Sequence, residues 1–171
     1  MRVPDEAASP QALARDDARA PRGRRAHATK PIDRGRPITR LGALGLRGMV
    51  AAVTVEGVAD GDALLSILHE VLVPQLRPGQ VIILDHLTAH KVAGVAEAMA
   101  TPGARLRSLP PASPDLSPIE ACWAQVNTRW RAQAARTREN REQAIAEAIA
   151  AMTAADARGW FTHAGGCSSF N

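Results

Sequence analysis

Apolar side chains recur at Ile119, Trp123, Val126 and Trp130, in steps of +4, +3 and +4, which predicts a helix from Ser117 onward with one buried stripe. A second stripe at Leu64, Leu65, Leu68, Val71 and Leu72 predicts a helix in "DGDALLSILHEVLVPQL", started by Asp60 or Asp62 and ended near Pro74 to Pro78. Between the two, "VIILD" (81–85) is wholly apolar until its final acid, the pattern of a central strand covered on both faces. "ITRLGALGL" (38–46) and "MVAAVTVEG" (49–57) read as a hairpin joined at Arg47-Gly48. "HKVAGVAEAMA" predicts a helix, "RLRSLP" a short strand, and "REQAIAEAIAAMT" and "AADARGWF" two further helices. Residues 7–37 carry no period, so regular structure is expected to start after Pro37. The order of elements predicts an α/β fold, a mixed sheet with helices on its faces.

Composition narrows the picture. A chain of 171 residues suits one domain. With no Tyr, two Phe and three Trp, rows of base-stacking aromatics are excluded. Cys122 and Cys167 stand far apart, which gives no disulfide framework or zinc site. No apolar run reaches the ~18 residues of a membrane span, and the start is not signal-like, so a cytoplasmic protein is expected. The net charge is +4, and its placement matters more than its size: residues 1–40 hold ten Lys or Arg against five acids. "RAPRGRRAHATK", with Arg22, Arg24 and Arg25, is either a solvated basic segment or a polyanion-contacting loop.

Two carboxylates stand out. Asp85 follows a buried strand directly, where functional groups of open α/β sheets gather, and it equally suits a turn or a helix cap. Glu120 falls at the third position of a helix capped by Ser117 and started by Pro118, which fits a Ser-x-x-Glu capping box. The two are separated by 34 residues, enough for one helix, one strand and a proline-stiffened return. Two carboxylates held close repel unless a cation neutralises them, and oxygen-only ligands suit Mg²⁺ or Mn²⁺.

"VIILDHLTAHK" followed by "LPPASPDLSPIEACW" resembles the catalytic core of DDE transposases of the mariner superfamily, of the insertion-sequence-630 type. Members carry "LDN-x-x-AHK" and, at the same spacing, "LPPYSPDLNPIE-x-x-W". "DEAASPQALARDDARAPRG" is similar to the family's first catalytic segment, which makes Asp5 the third acid. The resemblance implies an RNase H-like fold of about five strands in which Asp5, Asp85 and Glu120 hold two Mg²⁺ or Mn²⁺ ions. It implies metal-dependent cleavage of DNA at transposon ends and strand transfer into target DNA, with a homodimer on paired ends. It also gives Lys91, in "AHK", a phosphate-contacting role, and leaves Arg129 and Arg131 to replace lysines that the family often has at the positions of Gln125 and Asn127.

Departures set further expectations. Met1 to Pro4 is short for a central strand, and Pro4 lacks an N–H donor, so this strand is expected to pair poorly. The family's N-terminal helix-turn-helix is absent from these residues, which reads as N-terminal truncation. The expected organisation is a basic irregular arm with a remnant of the first strand at 1–37, an RNase H-like core at 38–164 and a flexible tail at 165–171. A second reading follows, a catalytically inactive transposase remnant that at most binds DNA non-specifically.

Overall fold

The computed structural model describes residues 1–9, 19–25, 27, 37–57, 61–84, 94, 97, 103–133, 135 and 137–165. Five strands, β1 (Arg2–Ser9), β2 (Ile38–Gly45), β3 (Gly48–Glu56), β4 (Val81–Leu84) and β5 (Arg105–Ser108), form one sheet in the order β3-β2-β1-β4-β5. β1, β2 and β3 pair antiparallel, whereas β4 lies parallel to β1 and β5 parallel to β4. The hairpin forms where its pattern predicts, with Leu46-Arg47 as the turn and Gly48, at φ 122°, opening β3.

The first strand corrects two expectations. Regular structure begins at Arg2 rather than after Pro37, and β1 pairs with β2 at all eight positions from Arg2↔Gly45 to Ser9↔Ile38. Pro4 removes one donor from that ladder, opposite Ala43, which itself borders a register shift between Ala43 and Leu44. A strand held on both sides tolerates this single loss, because packing on neighbours sets strand stability more than local propensity.

Helices cover both faces. On one face, α1 (Gly61–Ile67) continues as a π-turn over Leu68–Leu72 and a 3₁₀ turn over Val73–Gln75. The run ends at Gln75, with Leu76 extended (ψ 147°), and Pro74 sits in its last turn, where its missing N–H costs little. Leu68, Leu72 and Leu76 bury against Leu41, Ala43, Ile82 and Leu84. The helix expected over "HKVAGVAEAMA" falls, apart from Gly94 and Glu97, outside the described residues.

The other face is covered by α2 (Pro118–Gln133), α3 (Arg138–Ala150) and α4 (Ala154–His163). The expected stripe is buried throughout: Ile119, Trp123, Val126 and Trp130 are each at most 3% exposed. Burial of each stabilises the helix on the sheet by about 2 kcal/mol. Ile119, Trp123 and Val126 meet Val3, Leu44, Ala157 and Phe161, while Trp130 meets Ile38 and Ile145. No helix among the described residues is long and apolar enough to cross a membrane.

Candidate active site

Asp5 stands in β1 between Val3 and Ala7, both of which pack beneath α2. Strand alternation therefore puts Asp5 on the α2 face. Its partner across the ladder is Gly42, and a Cβ at Gly42 would stand 2.8 Å from Cη2 and Cζ2 of Trp123. The indole thus lies against bare backbone directly opposite Asp5. Trp123 follows Glu120 by three residues, so about one helical turn separates the ring that touches this strand pair from the carboxylate at the helix start.

Glu120 is exposed in the first turn of α2. Its amide donates to the Ser117 carbonyl at 3.2 Å. Ser117 is extended (φ −100°, ψ 103°), and Pro118 occupies the first helical position, where its missing N–H costs nothing. The capping box expected at Ser117 and Glu120 does not form: no side-chain hydrogen bond joins them among the described residues. Both reciprocal bonds are present instead at α4, where the Thr153 amide donates to Asp156 Oδ2 (2.9 Å) and the Asp156 amide to Thr153 Oγ1 (3.1 Å). Proline chemistry starts α2, which leaves the Glu120 carboxylate untied to the helix end. That carboxylate lines an open recess with Asp115, Ser117, Trp160 and His163.

On the opposite side, beneath α1, Pro4, Leu72 and Leu84 line a recess that Asp5 borders at its strand backbone, its side chain lying on the α2 face. Leu84 is the last described residue of β4, and Asp85 follows it in the chain. Asp85 and Lys91 lie outside the described residues. Among the described residues no three His, Cys, Asp or Glu side chains gather as a metal centre. Asp5 and Glu120 supply carboxylate oxygens only, a donor chemistry that fits Mg²⁺ or Mn²⁺ rather than softer metals.

The basic candidates are spread out. Arg22, Arg24 and Arg25 are exposed around a turn in which the Arg24 amide donates to the Pro21 carbonyl at 3.0 Å. Arg129 is exposed on α2, and Arg131 is half-buried with its Nε unmatched by an acceptor. The Asp156 carboxyl lies below its usual range, chiefly through the Thr153 backbone and hydroxyl bonds and less through the Arg129 charge.

One residue that the sequence pattern leaves unnoticed is Arg40. It is 1% exposed, and burial pushes its guanidinium down to about 10. Its period-2 relation to Gly42 and Leu44 is the available signal, and its charge masks it. Beside it, burial pushes the Cys122 thiol up to about 12, with its Sγ 3.2 Å from Met152 Sδ. Such a thiol is inert.

A mixed five-stranded sheet, with an acid on its central strand and helices on both faces, defines an RNase H-like domain, the fold of the mariner transposase catalytic domain. Residues 1–142 match the family model described as DDE superfamily endonuclease, and the chain belongs to that family. The fold is similar to that of the Mos1 strand transfer complex, with a TM-score of 0.75 at 16% identity over 94% of this chain and 50% of that one. It is similar also to the Mos1 transposase paired-end complex with left transposon end (0.74, 16%, 94% and 51%). The catalytic domain of Mos1 mariner transposase aligns with a TM-score of 0.62 at 11% identity, over 94% of this chain and 74% of that one. The chain spans about half the length of the transposase chains in the two complexes. No curated protein matches it in sequence.

Proposed function

We propose that this chain is the catalytic domain of an insertion-sequence-630-type transposase that cleaves DNA at transposon ends and transfers the strand into target DNA. Asp5, Asp85 and Glu120 are its catalytic carboxylates and would hold two Mg²⁺ or Mn²⁺ ions. The observation that carries this is the parallel register of the central strands. Arg2 pairs with Ile82, and Asp5 and Asp85 each stand three residues further along their own chains. Solved Mos1 paired-end complexes with Mg and with Mn, of the same fold, support the choice of metal.

Each part of the chain has a task in this reading. β1, paired on both sides, holds Asp5 on a rigid support. The proline-started turn of α2 aims Glu120 outward, and the Trp123 ring on Gly42 fixes that helix over β1 and β2. Divalent ions held by these carboxylates would supply Lewis-acid activation of an oxygen nucleophile and charge stabilisation at the leaving oxygen. Arg22, Arg24, Arg25, Lys91, Arg129 and Arg131 contact the DNA backbone, and two copies act on paired ends. Residues 1–9 join the core through β1. The inactive-remnant alternative rests on the missing helix-turn-helix as well as on the first strand, and of these only the strand pairs better than expected, along its whole length with β2.

Nicking of supercoiled plasmid in Mn²⁺ tests the reading, with Asp85→Ala and Glu120→Ala beside the parent chain. Parent nicking that both substitutions abolish supports it. Nicking that survives both rules out these carboxylates.

A further inference from the structure

β1, β4 and β5 run parallel, so one end of the sheet gathers the residues at which all three begin. Arg2 of β1 pairs with Ile82, and Arg105 of β5 pairs with Val81, which places the two arginines on strands flanking the start of β4. The β2–β3 turn reaches the same end, because Gly45 pairs with Arg2, and its Arg47 is exposed. Arg77 enters β4 from the same side. Gln80 ties two of these residues together: its Oε1 accepts from the Arg77 amide (3.0 Å), and its carbonyl accepts from the Arg105 amide (2.7 Å).

Stretches 36–55, 71–84 and 103–114 contain no Asp or Glu. Among the described residues none of Arg2, Arg47, Arg77 and Arg105 forms an ion pair. Arg2 Nη1 is buried without a hydrogen-bond acceptor. The Arg2 guanidinium is lowered from its usual range by burial and then by the nearby Arg77 charge. Like charges fixed close together on rigid backbone repel, and an external anion relieves the cost.

We propose that this end of the sheet, through Arg2, Arg47, Arg77 and Arg105, is a second surface for the sugar-phosphate backbone of duplex DNA, separate from the carboxylate site. Charge complementarity selects the occupant. Arg2 and Arg105 stand two strand spacings apart, about 10 Å at the backbone, and alternation turns them to opposite faces of the sheet, since Arg2 shares the register of Ile82 and Arg105 that of Val81, so a duplex lying across the sheet end meets one from each side. Arginine forks suit phosphate oxygens, and Arg2 already carries a donor that the protein leaves unmatched. The inference rests on the chain being a DNA-processing domain, and it extends the DNA path beyond the site of cleavage.

The test is fluorescence anisotropy of the full chain with a labelled 30-base-pair duplex in EDTA, over a range of salt. EDTA separates the outcome from that of the metal site. Arg77→Gln is expected to lower affinity several-fold and to flatten the slope of log K against log salt by about 0.9, with a further about 0.9 for Arg2→Gln/Arg77→Gln. Arg158→Gln, an exposed arginine on α4, is the matched control and is expected to change the slope by much less. Unchanged slopes in Arg77→Gln, or an equal change in Arg158→Gln, overturn the proposal. So does a loss of binding to phosphatidylserine vesicles as large as the loss of DNA binding, because the surface is then a general polyanion sink. Circular dichroism melts confirm that each variant is folded, and exposed Arg77 serves alone if the double variant is not. Mn²⁺ affinity is expected to be unaltered in the arginine variants.

Discussion

The guanidinium carbon of Arg40 lies 5.3 Å from the ring centroid of Trp123, and equally 5.3 Å from that of Trp130. A cation between two indoles is a favourable arrangement when water is excluded, on the order of 1 kcal/mol per ring. It clamps α2, with Glu120 at its start, onto β2. Arg40→Ala is expected to lower unfolding stability by about 3 kcal/mol, from lost packing and the void left between the rings. Arg40→Lys, which keeps charge but not the flat stacking fork, is expected to cost about 1 kcal/mol. Urea unfolding followed by tryptophan fluorescence reads both.

Gly42 is needed for its missing side chain. A methyl group there would meet Trp123 at 2.8 Å and Met49 Sδ at 3.2 Å. Gly42→Ala is expected to destabilise by about 2 kcal/mol through overpacking. It is also expected to weaken divalent-ion binding, because the displaced ring belongs to the helix that carries Glu120. Calorimetric titration with Mn²⁺ on folded Gly42→Ala checks the second effect separately from the first.

Ala112, in the proline-rich return before α2, has φ 53°. Alanine in this left-handed region is strained by about 1 kcal/mol, and glycine is not. Ala112→Gly is therefore expected to raise stability by up to about 1 kcal/mol, as a higher midpoint in thermal unfolding. A lower midpoint would show that the return gains more from restricted unfolded freedom than it loses to strain.

The α4 capping box sets a pH dependence. The Asp156 carboxyl is depressed in the folded protein, chiefly by its Thr153 bonds. The folded state thus binds fewer protons than the unfolded chain near the ordinary aspartate value of about 3.9. Its contribution is complete above that value and is lost as pH falls through the depressed one. The stability gap between the parent chain and Asp156→Asn should be constant from pH 8 to 5 and close on further acidification. A gap that widens in acid would contradict this.

Periodicity exposed the α2 stripe, the hairpin and β4 because burial on one face writes a period into the sequence. It missed the second half of β1. "EAAS" has no strand pattern, and its place is set by pairing with β2 rather than by its own side chains. The same blindness hid Arg40, since a charged residue in an apolar run reads as outward-facing until two tryptophans are found on either side. At the site, the spacing that singles out Glu120 also suggested a cap at Ser117, which the hydrogen bonds do not show, and the capping box that does form, at Thr153, starts another helix. Asp85 itself lies outside the described residues, and register and sequence count say only that it comes three residues after Ile82, as Asp5 comes three after Arg2.

The central claim is that Asp5, Asp85 and Glu120 form one divalent-ion site. The most direct measurement is Mn²⁺ binding by electron paramagnetic resonance on the folded chain and on Asp5→Asn, Asp85→Asn and Glu120→Gln. The account predicts that the parent chain binds Mn²⁺ and that each substitution weakens binding at least tenfold while the thermal midpoint stays within a few degrees. Unchanged Mn²⁺ affinity in all three variants would contradict it.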